Sequence, residues 1–485
     1  MWKEAIITPI YKGGSKVTPA NYRPVSLTSQ IAKLLERIIR WYMVEFLEIN
    51  NAFPDTQHGF RPFRSTVSQL LEHYDDIIDA LENNENIDIV MLDYSKAFDT
   101  INISILLQKL KLLGIGGNIA IWIANFLINR KQKVIVNKHS SQWSDVMSGV
   151  PQGTILAALF FLIYISDIGE DIQFSTLASY ADDSKVRKRI KNQSDGDNLQ
   201  KDINNVFNWT DKNLMKFNLT KFELLRIGKK QDLKDEIKYK TPDNKIITES
   251  DYVKDLGVIF NKHGNFEDHL KIKISKCKKV CGMILRTFMS RNATHLLSLF
   301  KALVIPIIDY CSIVWNPHLK KEIKAIEKIQ RNYTKRITNM KDLEYYDRLK
   351  VLNLYSMERR RERYEILYIF KTMKRLVPNI GLNWKDAPRR GRVLIPPAVH
   401  RNSSCAANTM RRNSFRGKAA FLFNALPAHI RNIPLTTPMD SIKRAVDKYL
   451  KTVTDEPVLD GCFRSTDAAS NSIVHQIVRR SELDD

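Results

Sequence analysis

Tyr180-Ala181-Asp182-Asp183 places two adjacent carboxylates after an apolar run, Phe174 to Tyr180, and before a second strand-like stretch, Val186 to Ile190. The pattern predicts a hairpin with the acids at its tip. Adjacent side chains on a strand point to opposite faces, but at a turn both reach one small volume. Carboxylates held that close repel each other and shift each other's pKa. Oxygen-ligated divalent cations such as Mg2+ relieve that repulsion and supply chemistry of their own. An isolated Asp-Asp dipeptide reads as an ordinary polar turn; a third acid upstream changes the reading. Asp93 closes the apolar run Ile87 to Leu92 and is followed by Tyr94-Ser95-Lys96-Ala97-Phe98-Asp99-Thr100. Only a fold can bring Asp93 to the 182–183 pair. Between them lies Ser148-Gly149-Val150-Pro151-Gln152-Gly153-Thr154, a glycine-rich turn entering an apolar helix.

The chain has room for the elements such a site needs. Its 485 residues, 44% hydrophobic, suit two or three globular domains. A net charge of +23 and a pI of about 9.6 call for a polyanionic partner. Composition alone does not separate nucleic acid from an anionic membrane. The longest apolar run, Ile155 to Ile165, is shorter than the ~20 residues of a membrane span. Trp2-Lys3-Glu4 opens a strand-like stretch rather than a signal peptide. Five scattered cysteines, Cys277, Cys281, Cys311, Cys405 and Cys462, argue against a disulfide framework and for a reducing, intracellular setting, nucleus or cytoplasm. Cys277 and Cys281 share a helix face but lack a second ligand pair, so they read as packing.

In chain order, Ile6 to Gly14 reads as a strand and a glycine turn carrying Lys12, and Asn21 to Leu27 follows with Arg23. Apolar periodicity predicts helices over 31–49 and 67–81, the second preceded by Gln57-His58-Gly59-Phe60-Arg61-Pro62. Further helices are predicted over 103–113, 119–128, 154–168 and 195–216, and a strand over 222–227. Lysine-rich helices are predicted over 267–286, 295–305 and 319–337, and further helices over 343–352 and 357–376. The Glu358–Arg363 stretch is dense in charge, and its Arg359-Arg360-Arg361 cluster reads as part of a charged helix face. Residues 377–413 read as loop, and the chain from about 452 as tail.

The three acidic and glycine-rich segments, in this order, resemble the palm of a reverse transcriptase. Leu92-Asp93-Tyr94-Ser95-Lys96-Ala97-Phe98-Asp99 is similar to the first catalytic block of that family. Gly149-Val150-Pro151-Gln152-Gly153 is similar to its nucleotide-binding turn, and Tyr180-Ala181-Asp182-Asp183 to its second catalytic block. Ala302 to Tyr310 and Val314-Trp315-Asn316-Pro317 resemble the region after the palm in non-LTR, LINE-type elements, including the jockey-like group. The resemblance covers roughly residues 3 to 450. It begins almost at Met1, inside the fingers and without an endonuclease upstream, and so reads as a truncated element-derived frame.

The resemblance implies an α+β right-hand polymerase. Fingers would occupy 1–86, a palm with an antiparallel sheet 87–262, a helical thumb 263–340, a mainly helical C-terminal region 341–450 and a tail 451–485. It implies an RNA-directed DNA polymerase that adds deoxynucleotides to a DNA primer 3′-hydroxyl on an RNA template. Asp93, Asp182 and Asp183 would hold two Mg2+ ions, with Mn2+ as the alternative. Lys221 would protonate the leaving pyrophosphate. Lys12, Arg23, Arg61, Tyr94 (through its carbonyl), Phe98, Gln152 and Gly153 would surround the incoming triphosphate, the Phe98 ring excluding a ribose 2′-hydroxyl. Lys271, Lys273, Lys276, Lys278 and Lys279 would contact the nucleic-acid backbone. One departure stands out: Ala157-Ala158 occupy positions where related elements commonly carry Gly-Pro. With the truncation, it motivates the rival reading of a catalytically impaired relic that only binds nucleic acid. An RNA-dependent RNA polymerase shares the palm logic, but the Phe98 ring disfavours it; a telomerase or intron-encoded enzyme is disfavoured by the 302–337 stretch.

Overall fold

Alternating burial along Glu4–Tyr11, with Ala5 and Ile7 inward, makes this stretch the central strand of a first sheet. The computed structural model describes residues 3–388, 391–398, 403–457 and 471–477, and the chain divides into two units. The first comprises Met1–Arg64, Ile87–Arg226 and Lys230–Ser250; the second comprises Ser65–Asn86, Ile227–Lys229 and Asp251–Asp485. The segment expected to complete the fingers, 65–86, thus belongs to the second unit.

In the first unit, β1 (Glu4–Tyr11) pairs antiparallel with β2 (Tyr22–Leu27) and parallel with β4 (Arg130–Val136), while β3 is Asn86–Leu92. Strands β5 (His139–Ser140) and β6 (Ser144–Val146) both pair antiparallel with β4. A second sheet runs β10–β9–β3–β8–β7, where β7 is Thr176–Tyr180, β8 Asp183–Ile190, β9 Glu223–Ile227 and β10 Thr248–Glu249. Its β7–β8 hairpin is antiparallel, with Tyr180 opposite Asp183, as the sequence led us to expect. Helices Gln30–Ile49, Ile103–Leu112, Gly117–Leu127, Ala157–Tyr164 and Gln193–Lys212 accompany the sheets. The Ala157–Tyr164 helix is buried on nearly every side and sits in the core with Val90, Leu92, Ile123 and Val206. It is shorter than the predicted 154–168, because Thr154 still closes a turn onto Pro151. Its alanines, Ala157 and Ala158, pack within regular helix and leave no break. Glu36, fully buried, accepts from the Ile155 and Leu156 amides (2.7 and 3.2 Å) and so ties the 30–49 helix to the start of this one.

The second unit is mainly helical, with a β11–β12 hairpin (Tyr252–Asp255, Val258–Asn261). Its helices include Thr66–Glu82, Glu267–Thr287, Lys320–Thr334, Met357–Met373, Cys405–Asn413, Phe415–Ala425 and Met439–Leu450. Two expectations are corrected here. The predicted loop over 377–413 contains a β13–β14 hairpin (Asn383–Ala387, Gly391–Ile395) and the Cys405–Asn413 helix. The strands are short and lie beside Pro388, Pro396 and Pro397, which obscured them. The charged face read over Glu358–Arg363 is turned inward: Arg359, Arg361 and Glu362 are buried, as is Glu365 just beyond. Each has polar partners brought from afar. Arg359 donates to the carbonyls of Val453 and Thr454, Arg361 to Asn316, and Glu362 accepts from Ser472 and the Ile473 amide. Burial, with Glu358 adding repulsion, pushes the Glu362 carboxyl up to about 8. The predicted 295–305 helix is interrupted by a π turn, Phe300–Val304. Of the expected tail, 458–470 and 478–485 lie outside the described residues, as does Cys462. Among the described residues no helix is long and apolar enough to cross a membrane.

Candidate active site

Two residues, Ala181 and Asp182, make the turn between β7 and β8. Ala181 adopts a left-handed conformation (φ 58°), which a small side chain tolerates at a two-residue turn. The turn is held from outside its own hairpin. Gln57 Oε1 accepts from the Gly59 amide (2.8 Å) and from the Ala181 amide (3.1 Å). Ser179 pairs with the same segment through His58 N to Ser179 O (2.9 Å) and Ser179 N to Thr56 O (3.0 Å). Gly59 lies so close that a Cβ there would sit 2.3 Å from the Ala181 nitrogen. Residues 56–59 therefore act as a template on which the tip is moulded.

Asp93 follows directly on β3 and is fixed from another direction. Its carbonyl accepts from Asn218 N (2.7 Å), and Ser95 N donates to Lys216 O (2.8 Å). These bonds flank the Tyr94–Phe217 bridge and leave the Tyr94 carbonyl out of the pair. The Tyr94 ring is buried against Phe161 and Phe217. The same 216–221 segment delivers Lys221, whose Nζ lies 2.9 Å from Asp93 Oδ2.

The Asp182 carboxyl is pushed above its ordinary range, first by desolvation in its crowded setting and then by the neighbouring Asp93. An amide hydrogen bond, Arg23 and Lys12 oppose that rise. Asp93, Asp182, Arg23 and Lys12 are therefore one electrostatic group. Among the described residues, no three His, Cys, Asp or Glu side chains form a ready-made cluster for a metal ion. With only Ala181 and Asp182 in the turn, Asp183 already belongs to β8 and follows strand alternation.

The glycine-rich turn is locked onto the block that follows Asp93. Gly149 N donates to Ile101 O and Val150 N to Phe98 O (2.8 and 2.9 Å). Gln152 Nε2 donates to Asp99 Oδ1 (2.8 Å), and Gln152 O accepts from Ser26 N (2.6 Å). Gly153 (φ 112°) lies where a Cβ would be 2.8 Å from Ser26 O. Strand β2, which carries Arg23, and the Gln152 turn are thereby one rigid piece. Phe98, half-buried, stacks on Phe161 at 4.8 Å.

The sequence model of the reverse transcriptase (RNA-dependent DNA polymerase) family matches residues 10–260, which hold all of these groups. The chain belongs to that family. Its architecture is mixed, with helices and two larger sheets. It is similar to the probable RNA-directed DNA polymerase from transposon BS of Drosophila melanogaster, 28% identical over 76% of this chain and 42% of that protein. It is likewise similar to the enzyme from the transposon X-element (27%, 70% and 38%) and to that from the mobile element jockey (31%, 39% and 22%), both of Drosophila melanogaster. The chain thus spans less than half the length of these curated relatives. Among solved structures, apo telomerase from Candida tropicalis aligns with 92% of this chain and 69% of its own at 10% identity and a TM-score of 0.44.

Arg61, expected near the nucleotide of this reverse transcriptase chain, is engaged elsewhere. Its guanidinium binds Glu48 through Nε and Nη2 (2.9 and 2.8 Å) and the carbonyls of Pro54 and Gln57 through Nη1. With its side chain 7% exposed, it buttresses the 54–61 loop and hence the Gln57 clamp. Gln57 and Gly59 are the positioning residues that sequence reasoning missed. Their signal was the quoted Gln57-His58-Gly59 run, whose glycine marks a close backbone approach. In the second unit, all five expected lysines lie on the Glu267–Thr287 helix. Lys271 pairs with Glu267 (3.2 Å), Lys273 sits over the Tyr310 ring, and Lys278 and Lys279 line a groove with Arg286, Arg291 and Arg336.

Proposed function

We propose that this chain is an RNA-directed DNA polymerase that extends a DNA primer with deoxynucleotides on an RNA template. The supporting observation is the Asp93–Asp182 pair set against Arg23 and Lys12, on elements clamped from three sides. The donor set is all hard oxygen, and Asp93 and Asp182 repel each other, which suits divalent cations. Two Mg2+ ions, or Mn2+, would be held by Asp93 and Asp182, with Asp183 and the Tyr94 carbonyl as supporting oxygens. When bound, such ions lower the pKa of the attacking hydroxyl and neutralise charge on the triphosphate.

The rest falls to the protein's own side chains. Arg23 and Lys12 bind the triphosphate. Gln152, oriented by Asp99, and Gly153 meet the nucleotide near its sugar. Phe98, braced by Phe161, closes the space a 2′-hydroxyl would need. Lys221, on Asp93 in this arrangement, donates a proton to the departing pyrophosphate. Lys271, Lys273, Lys276, Lys278 and Lys279 hold phosphates of the template–primer backbone. The work is done inside the cell, in nucleus or cytoplasm. Primer extension by the purified chain on an RNA template with Mg2+ tests this. Deoxynucleotide incorporation is expected; binding of the template–primer without any incorporation, in either metal, would leave only the relic.

A further inference from the structure

The second unit contains a cavity of about 690 Å3 that the polymerase reading does not use. Its walls come from the Met357–Met373 and Met439–Leu450 helices and the 309–313 and 353–355 segments. That volume suits one nucleotide-sized occupant. The charges are unevenly matched. Arg360 is bound by Asp309 (2.7 Å) and Arg363 by Asp447 (2.7 Å), so these pairs cancel. Lys301, Lys371 and Lys443 also line the cavity, and among the described residues none has an ion-pair partner. Against them stands one further acid, Asp440. Three tyrosines, Tyr355, Tyr364 and Tyr368, also line it; Arg360 and Arg363 lie over the Tyr364 ring and Tyr368 packs on Phe415, which leaves the half-buried Tyr355 ring as the aromatic surface. The Tyr368 hydroxyl is buried and lacks a hydrogen-bond partner among the described residues, in a residue only 5% exposed. A buried hydroxyl without a partner is costly, and a polar ligand group in the cavity would satisfy it.

Uncompensated cations beside the Tyr355 ring match the chemistry of an unpaired nucleotide, phosphate to lysine and base to ring. A small molecule with one carboxylate would leave two lysines unmatched; a polyphosphate without a base would leave the ring unused. We infer that this cavity is a second nucleic-acid site, holding an unpaired nucleotide of single-stranded RNA, with the flanking phosphates on Lys301, Lys371 and Lys443. The inference does not rest on the polymerase activity.

The test is photocrosslinking of the full chain to a single-stranded RNA decamer carrying 4-thiouridine, with adducts mapped by peptide. Adducts are expected on the 353–371 segment, and K301A/K371A/K443A should lower their yield about tenfold while adducts elsewhere persist. All three lysines are exposed, so the variant should keep the parent's melting temperature. Decamer affinity should also lose salt dependence, since each phosphate contact on a single strand adds ~0.7 to the slope of log K against log salt. No adduct on 353–371, or a yield indifferent to the three lysines, overturns the inference. Adducts from 4-thiouridine triphosphate alone, with none from the decamer, overturn it in favour of a free nucleotide.

Discussion

Gly59→Ala is the sharpest test of how the candidate site is built. Gly59 is not on the roster of reacting groups, yet a Cβ at this position would lie 2.3 Å from Ala181 N and 2.9 Å from Tyr180 C. Both neighbours are backbone, so no side chain can swing away. Ordinary contact begins near 3.4 Å, so the tip and the 57–59 segment must part by about 1 Å, and interiors this dense pass such shifts on. Gln57 then loses its bridge between the Gly59 and Ala181 amides, and Asp182 moves relative to Asp93. A misplacement of about 1 Å at reacting groups costs on the order of 100-fold in rate, or roughly 2.7 kcal/mol of barrier. The overpacking costs ~1–3 kcal/mol of stability, which a unit with so large a core can absorb. The assay is single-turnover addition of one deoxynucleotide, alongside urea unfolding and template–primer affinity. The expected result is a rate about 100-fold down with affinity unchanged. A rate within about threefold of the parent, with unchanged stability, would show that the clamp does not set the position of Asp182.

Asp182→Asn should reduce incorporation to background and leave template–primer affinity intact. It should also melt higher than the parent at pH 7 without divalent metal, because a carboxyl raised in the folded state costs stability as pH climbs from its unfolded to its folded pKa; Mg2+ should then stabilise the parent more than the variant, and equal responses would remove Asp182 from the metal set. Phe98→Ala should admit ribonucleotides, read as the ratio of deoxy- to ribonucleotide incorporation; an unchanged ratio counts against the ring as a gate. Glu362, pushed up to about 8 in the fold from an ordinary 4.5, keeps a proton in the folded chain that the unfolded chain has lost. Stability of the second unit should therefore fall as pH rises from about 4.5 to 8, and Glu362→Gln should flatten that slope in thermal melts; a parent curve flat over this window refutes the buried, proton-holding carboxyl.

Much of the positioning apparatus was legible in the amino-acid order. The β7–β8 hairpin showed itself through two apolar runs around a short polar break, and helices such as Gln30–Ile49 and Thr66–Glu82 through their periodicity, to within a residue or so at each end. Local pattern suffices where an element buries one face along its own length. It fails where the deciding partner is remote. Arg61 looks like a free cation until Glu48 and the Pro54 carbonyl are seen to hold it. Arg359 and Arg361 look solvated until Thr454 and Asn316 supply acceptors in the interior. Gln57 looks like loop until Ala181 arrives more than a hundred positions later in the chain. The β13–β14 hairpin failed for a different reason: its strands are short and flanked by prolines, which mask a brief ladder.

The clamp at 56–59 bears on how such copies decay. A family census that scores a copy as competent because its aspartates survive looks in the wrong place. One base change that gives position 59 a side chain, or removes the amide at 57, is expected to cut incorporation about 100-fold with every acid still spelled correctly. Loss of function in this lineage should therefore be sought first in a short stretch that carries no chemistry of its own.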